Sequence, residues 1–279
     1  MQLLIREDVD QALTLFPSTG STSDGMIQFV LNLHVRQAEN KPTHGMCTPA
    51  CRVSGSFSTL LTIIERHEWQ KQQGGTGALD HTAWMFFSGC DVEHFYIGVR
   101  PLFDDLALLC SKMAVKKGEC PETFNDLFRW CVNGSRADRI LGEDLAATIR
   151  TCTWFEQIRE TRDGIVHFGA FTLALPGHDT VSFRVEAGPR SSQVLPDLMT
   201  NENVADFDLF CAWVIGNLAV TLDRVGSIGL ARLAIDQPVH GTSGRLAHSI
   251  ARQYLIRLRD RLPAGRSESG AGQEASTEV

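Results

Sequence analysis

A chain of 279 residues with 43% hydrophobic and 21% charged side chains can build one large core or two small ones, and this composition excludes a disordered protein. Its net charge of −7, from 26 basic and 33 acidic residues, excludes a surface that grips nucleic acid everywhere, while leaving room for a local basic site. The longest uncharged apolar stretch, Leu209 to Leu222, is too short to cross a bilayer and the N-terminus carries no secretion pattern, so a soluble cytoplasmic protein is expected.

In chain order, the first expected helix spans Met1 to Leu15, with Leu3, Leu4, Val9, Leu13 and Leu15 on one face, and is stopped by Pro17 and a Ser/Thr/Gly loop. A second covers Met26 to Ala38 and ends at Asn40-Lys41-Pro42. The loop after it holds His44, Cys47 and Cys51, three soft metal ligands close together. Structural zinc wants four ligands and no second half of a site is visible. Ordinary loop and core cysteines are the simpler account, and no metal or cofactor is expected. Eight cysteines without a C-x-x-C fall below disulfide-scaffold density and fit reduced thiols. A third helix is expected over Phe57 to Gln73, and Gly74-Gly75-Thr76-Gly77 marks the clearest internal boundary. That boundary separates residues 1–78, an N-terminal helical segment without an assigned role, from a main bundle over 79–262.

Asp80 is placed to cap a long helix from His81 to Ala114, whose residues Trp84, Phe87, Val92, Phe95, Val99, Leu102, Leu106 and Leu109 recur at near-helical spacing. Pro101 should kink this helix rather than end it. Pro121-Glu-Thr-Phe starts a short helix ending near Asn133-Gly134, and another long helical pattern runs from about Gly142 to His167. The period then changes. Phe171–Leu175 and Val181–Val185 flank Pro176-Gly-His-Asp179 and read as a β-hairpin over about 171–186. A helix is expected from Asn203 to about Ala234, then a basic one from Ser243 to Leu262, then a disordered tail over 263–279. The fold class is therefore all-α with one inserted β-hairpin. Two signatures fail: His67-Glu68-Trp69-Gln70-Lys71 has lysine where a metalloprotease helix needs its second histidine, and Gly75-Thr-Gly77-Ala-Leu-Asp80 follows a helix rather than a strand.

One segment carries chemistry: Glu156-Gln-Ile-Arg159-Glu-Thr-Arg162-Asp163-Gly-Ile-Val-His167-Phe-Gly169. It sets an arginine and a histidine five apart at the C-terminal end of a helix, a step of about 140° and about 7.5 Å. The two are not stacked, but the long guanidinium can swing toward the imidazole's side. The pair combines a fixed cation for phosphate with a group that exchanges protons near neutral pH. Blander readings stay open: His167 as a helix-end histidine favoured by the dipole, and Arg162 paired with Glu160 or a neighbouring acid.

Arg162-Asp163-Gly-Ile-Val-His167, with the upstream helix Phe95-Tyr-Ile-Gly-Val-Arg100-Pro-Leu-Phe-Asp104, resembles the R-x4-6-H motif and helical order of the HEPN superfamily, over roughly Leu79 to Leu262. The resemblance implies an elaborated helical bundle and metal-independent endoribonuclease activity. The RNA 2′-OH would attack the adjacent phosphodiester and leave a 2′,3′-cyclic phosphate. It gives His167 the proton transfer, Arg162 the stabilisation of the phosphorane and Asp163 the orientation of either. Arg100, Asp104 and Arg159 become weaker substrate-binding candidates, with a helical ion pair the blander account of Arg100 and Asp104. The implied partners are RNA, a second copy in a two-fold homodimer, and an antitoxin or other protein of a toxin or defence system. A catalytically silent module that binds nucleotide, RNA or protein is the alternative. Gly164 departs from a good helix former inside the motif, at about 1 kcal/mol relative to alanine. The strongest basic cluster lies elsewhere, at Arg245, Arg252, Arg257, Arg259 and Arg261, either a face for an RNA backbone or a solvated helix end.

Overall fold

Periodicity turns into packing through helices of very different character. A computed structural model of the chain describes residues 6–15, 25–75, 77, 80–168, 172–176, 181–185, 199–200, 204–235, 252–257 and 259–260. In chain order these form α1 (Arg6–Leu15), α2 (Gly25–Ala38), α3 (Cys47–Gly75), α4 (His81–Lys112), α5 (Phe124–Asn133), α6 (Ser135–Leu141), α7 (Glu143–Arg150) and α8 (Phe155–Phe168). Then come β1 (Thr172–Pro176), β2 (Val181–Val185), β3 (Met199–Thr200), β4 (Val204–Asp206) and α9 (Phe207–Arg232). A last helical stretch covers 252–257 and 259–260. The chain is mostly helical with one inserted hairpin. The proposed tail, the hairpin turn, Gly169 and most of the final basic helix lie outside the described residues.

Local chemistry explains the helix starts. The Asp80 carboxylate accepts from the Ala83 amide at 2.9 Å, and α4 then runs through Pro101 without ending. Thr123 and Asp206 cap α5 and α9 in the same way. The long helix expected over 142–167 is in fact two, because the chain turns at 151–154. There Thr151 Oγ1 donates back to the Thr148 carbonyl at 2.7 Å, closing α7, and buried Trp154 directs the chain into α8. The loop expected around the cysteines is also helical: α3 starts at Cys47, with Pro49 in its first turn, where a missing amide proton costs nothing. The hairpin pairs Thr172 with Val185 through Pro176 with Val181, and the short strands β4 and β3 extend it to a sheet of order β1-β2-β4-β3. Residues 204–206, expected as helix, are β4.

The helix α4 is the spine: α3 lies along it, and α5, α8, β1 and β2 pack on it, while α1, α2 and α7 pack on α9. One hydrophobic cluster runs from Val9 to Leu255 and so takes in α1 to α3 as well as the later helices. Phe103 on α4 stands at ring distances of 4.5, 4.5 and 5.4 Å from Phe124, Phe155 and Trp154. Trp84, Phe95, Trp154, Phe155 and Trp213 are core residues as their spacing predicts, but Phe87 is not, being 42% exposed. The helix α9 has the length and composition of a membrane span, yet 72% of its most apolar window is packed inside the protein, as in the core helix of a soluble fold.

Two contacts fix α9 in place. Asp223 accepts the first amide of α2, that of Gly25, at 2.8 Å. One turn further along the same face, a Cβ on Gly226 would sit 2.2 Å from the backbone of Gly25 and Met26, so the helices touch backbone to backbone. Gly226→Ala is expected to lower stability by about 1–3 kcal/mol despite the better helix propensity of alanine, read as a fall in the urea midpoint.

A buried ionic cluster ties the C-terminal stretch to α3 and α9. Lys71 Nζ lies 2.6 Å from Asp208 and 3.1 Å from Glu68, Tyr254 donates its hydroxyl to Glu68, and Arg257 reaches both carboxylates. Burial pushes the Glu68 carboxyl up, but the Tyr254 hydrogen bond and the Lys71 and Arg257 cations outweigh it, carrying it from its ordinary 4.5 to about 2. A depressed carboxyl stabilises the fold above its unfolded value and ceases to as pH falls through the folded one. About 3 kcal/mol of stability should therefore disappear between about pH 4.5 and about pH 2, and Glu68→Gln should flatten that part of the stability–pH curve.

Candidate active site

The helix α8 presents its polar residues to α4 because Phe155 and Ile158 are buried on the same side. That packing places Arg159, Arg162 and Asp163 along a cleft shared with Arg100 and Asp104 of α4. The cleft has a volume of about 200 Å3, with Tyr96, Val99, Phe103, Phe155 and Ile158 as its apolar wall and Thr123 and Asn125 at the start of α5 as further polar lining. Five of the six residues singled out from sequence therefore line one cavity. Thr123 and Asn125 were not singled out: in sequence Thr123 signals only a helix start, and the approach of α5 to α4 is a tertiary event.

Arg162 is the centre of the arrangement. Its side chain is only 12% exposed. One terminal nitrogen, Nη1, donates to Asp163 Oδ1 at 2.7 Å and lies 3.4 Å from His167 Nε2. A guanidinium has no lone pair to offer, so in a hydrogen bond between the two the histidine nitrogen is the acceptor. The imidazole has its Nε2 atom turned toward the arginine. Its ring is solvent-exposed and stands beyond the cleft lining rather than in it. Gly164 does not interrupt α8, which continues to Phe168.

The charges around Arg162 are close to balanced. Arg100 pairs with Asp104 at 3.3 Å, the helical ion pair that its spacing suggests, and Arg159 lies 3.6 Å from Glu160. The acid beside Arg162 is thus Asp163 and not Glu160. Three guanidiniums face two carboxylates along the cleft. The Nε atoms of Arg159 and Arg162 are enclosed without a hydrogen-bond partner. A group carrying several acceptor oxygens, such as a phosphate, would be met by the terminal nitrogens of the guanidiniums along the cleft.

Other candidates resolve differently. Among the described arginines of the basic cluster, Arg257 is held by Glu68 and Asp208, and Arg259 by Asp260 at 3.2 Å. Arg245 and Arg261 lie outside the described residues. The failed metalloprotease signature is structural: His67 is buried between Asp91 and Asp208, 3.7 Å from each, and Glu68 and Lys71 belong to the ionic cluster. His44 occupies a turn with φ of 49°, and the imidazole that approaches Cys47 and Cys51 is His34 of α2 instead.

No known family model matches this chain, and neither a curated protein nor a solved structure matches it.

Proposed function

We propose that the protein is a HEPN-like, metal-independent endoribonuclease whose site is built from Arg162, His167 and Asp163. The single observation that supports this reading most is the placement of Arg162. It lies nearly buried at a cleft and contacts at once a carboxylate and an imidazole nitrogen. In this reading His167 Nε2 takes the proton of the attacking 2′-OH, and the leaving 5′-oxygen is protonated by a second acid or by water. Arg162 stabilises the charge of the phosphorane. Asp163 holds the guanidinium's direction, and Arg100 and Arg159 carry flanking phosphates.

The exposure of His167 outside its own cleft fits a two-fold homodimer in which two motifs face one groove. A toxin or defence role in a cytoplasm, with an antitoxin as protein partner, belongs to the same proposal. The eight free thiols are compatible with that compartment.

A second reading, a silent module that binds nucleotide or RNA, draws on Asp163, which already occupies the nitrogen of Arg162 that faces the imidazole. One experiment separates the two. The protein is incubated with unstructured RNA in excess chelator, and the product ends are characterised. Cleavage leaving 2′,3′-cyclic phosphate and 5′-hydroxyl ends is the expected result, and intact RNA that nevertheless binds the protein overturns the nuclease in favour of the silent module.

A further inference from the structure

A second cluster of reactive side chains lies at the joint of α2 and α3, apart from the cleft residues. Cys47 and Cys51 are four apart in the first turns of α3, so both thiols emerge on one side of the helix. His34 of α2 faces them. Its Nε2 is 3.3 Å from Cys51 Sγ, and the Cys47 thiol donates to Gln37 Oε1 at 3.3 Å. The three ligand atoms of His34, Cys47 and Cys51 all lie within 4.8 Å of one another. Tetrahedral zinc, with bonds of about 2.3 Å to sulfur and about 2.0 Å to nitrogen, holds its donors about 3.5–3.8 Å apart. Small rotamer changes close that difference, since His34 is exposed and both cysteines are partly so.

The geometry points to a binding site for a soft divalent transition-metal ion of the zinc class, formed by Cys47 Sγ, Cys51 Sγ and His34 Nε2, with water or Gln37 Oε1 in the fourth position. Two thiolates and an imidazole select such an ion over magnesium or calcium, which take oxygen ligands. Binding replaces two S–H bonds by two sulfur–metal bonds, so two protons leave to solvent and no oxidant or reductant is needed. Cys47 and Cys51 are partly exposed, whereas Cys110, Cys131, Cys152 and Cys211 are buried.

The test uses the reduced, chelator-treated full chain titrated with Co2+, a spectroscopic substitute for zinc. Saturation at one equivalent, with thiolate-to-cobalt charge-transfer absorption that added Zn2+ removes, is the expected result. Cys47→Ser and Cys51→Ser should each abolish that absorption, and His34→Ala should weaken binding by about tenfold or more, while Cys90→Ser leaves it unchanged. In the wild-type chain, Zn2+ should protect Cys47 and Cys51, and not Cys90, from alkylation mapped by peptide mass, a readout that needs no variant to fold. Absence of the charge-transfer band, its persistence in the serine variants, or alkylation of Cys47 and Cys51 unaffected by Zn2+ overturns the site.

Discussion

His167→Ala and Arg162→Ala are each expected to slow RNA cleavage by about 10²–10⁴-fold under single-turnover conditions. In the proposed reaction the first would remove the nitrogen that accepts the 2′-OH proton. The second would remove the cation aimed at the phosphorane and also the group that contacts the imidazole, so the double variant should lose much less than the product of the single losses. Arg162→Lys should recover little of the rate, because an ammonium lacks the second terminal nitrogen that would reach a phosphate oxygen while Nη1 stays with Asp163 and His167. If His167→Ala cleaves as fast as wild type, the imidazole has no part in the reaction.

Phe103→Ala should cost about 3–5 kcal/mol, a large share of the about 5–15 kcal/mol that holds a typical domain together. The ring is wholly buried and touches aromatic side chains from α5, from the turn at 151–154 and from α8. It therefore joins the spine to both of the elements that wall the cleft. A cavity there cannot collapse by moving one neighbour, because its neighbours belong to different helices. Thermal and urea unfolding should both show the loss, and Phe103→Leu should restore much of it. Since Phe103 also lines the cleft, any activity should fall alongside stability in the alanine variant.

Much of this architecture is legible in the residues themselves. The cap at Asp80, the start of α5 at Thr123 and the alternation of β1 and β2 are local signals that the structure realises. The motif was legible for a similar reason: Arg162, Asp163 and His167 lie within one helix, so their meeting depends on helix geometry more than on the rest of the chain. What sequence could not disclose is tertiary. The break between α7 and α8 is hidden because the apolar pattern continues through Cys152 and Phe155 on either side of it, and the turn is fixed by the Thr151 hydroxyl bond and the burial of Trp154. Phe87 keeps the helical period of its buried neighbours but falls where no element among the described residues covers α4. His44 lies three residues before Cys47 and His34 thirteen, so a linear reading picks His44. The antiparallel return of α3 against α2 is what selects His34.

The contact of Tyr254 and Arg257 with Glu68 and Asp208 also gives the far end of the chain a structural duty. A protease cut or premature stop ahead of Arg252 would do more than trim an appendage. It would strip a phenol and a guanidinium from two largely enclosed acids, leaving Lys71 to neutralise both. Truncated forms should accordingly be trypsin-sensitive and poorly expressed, even though every residue of the cleft is retained.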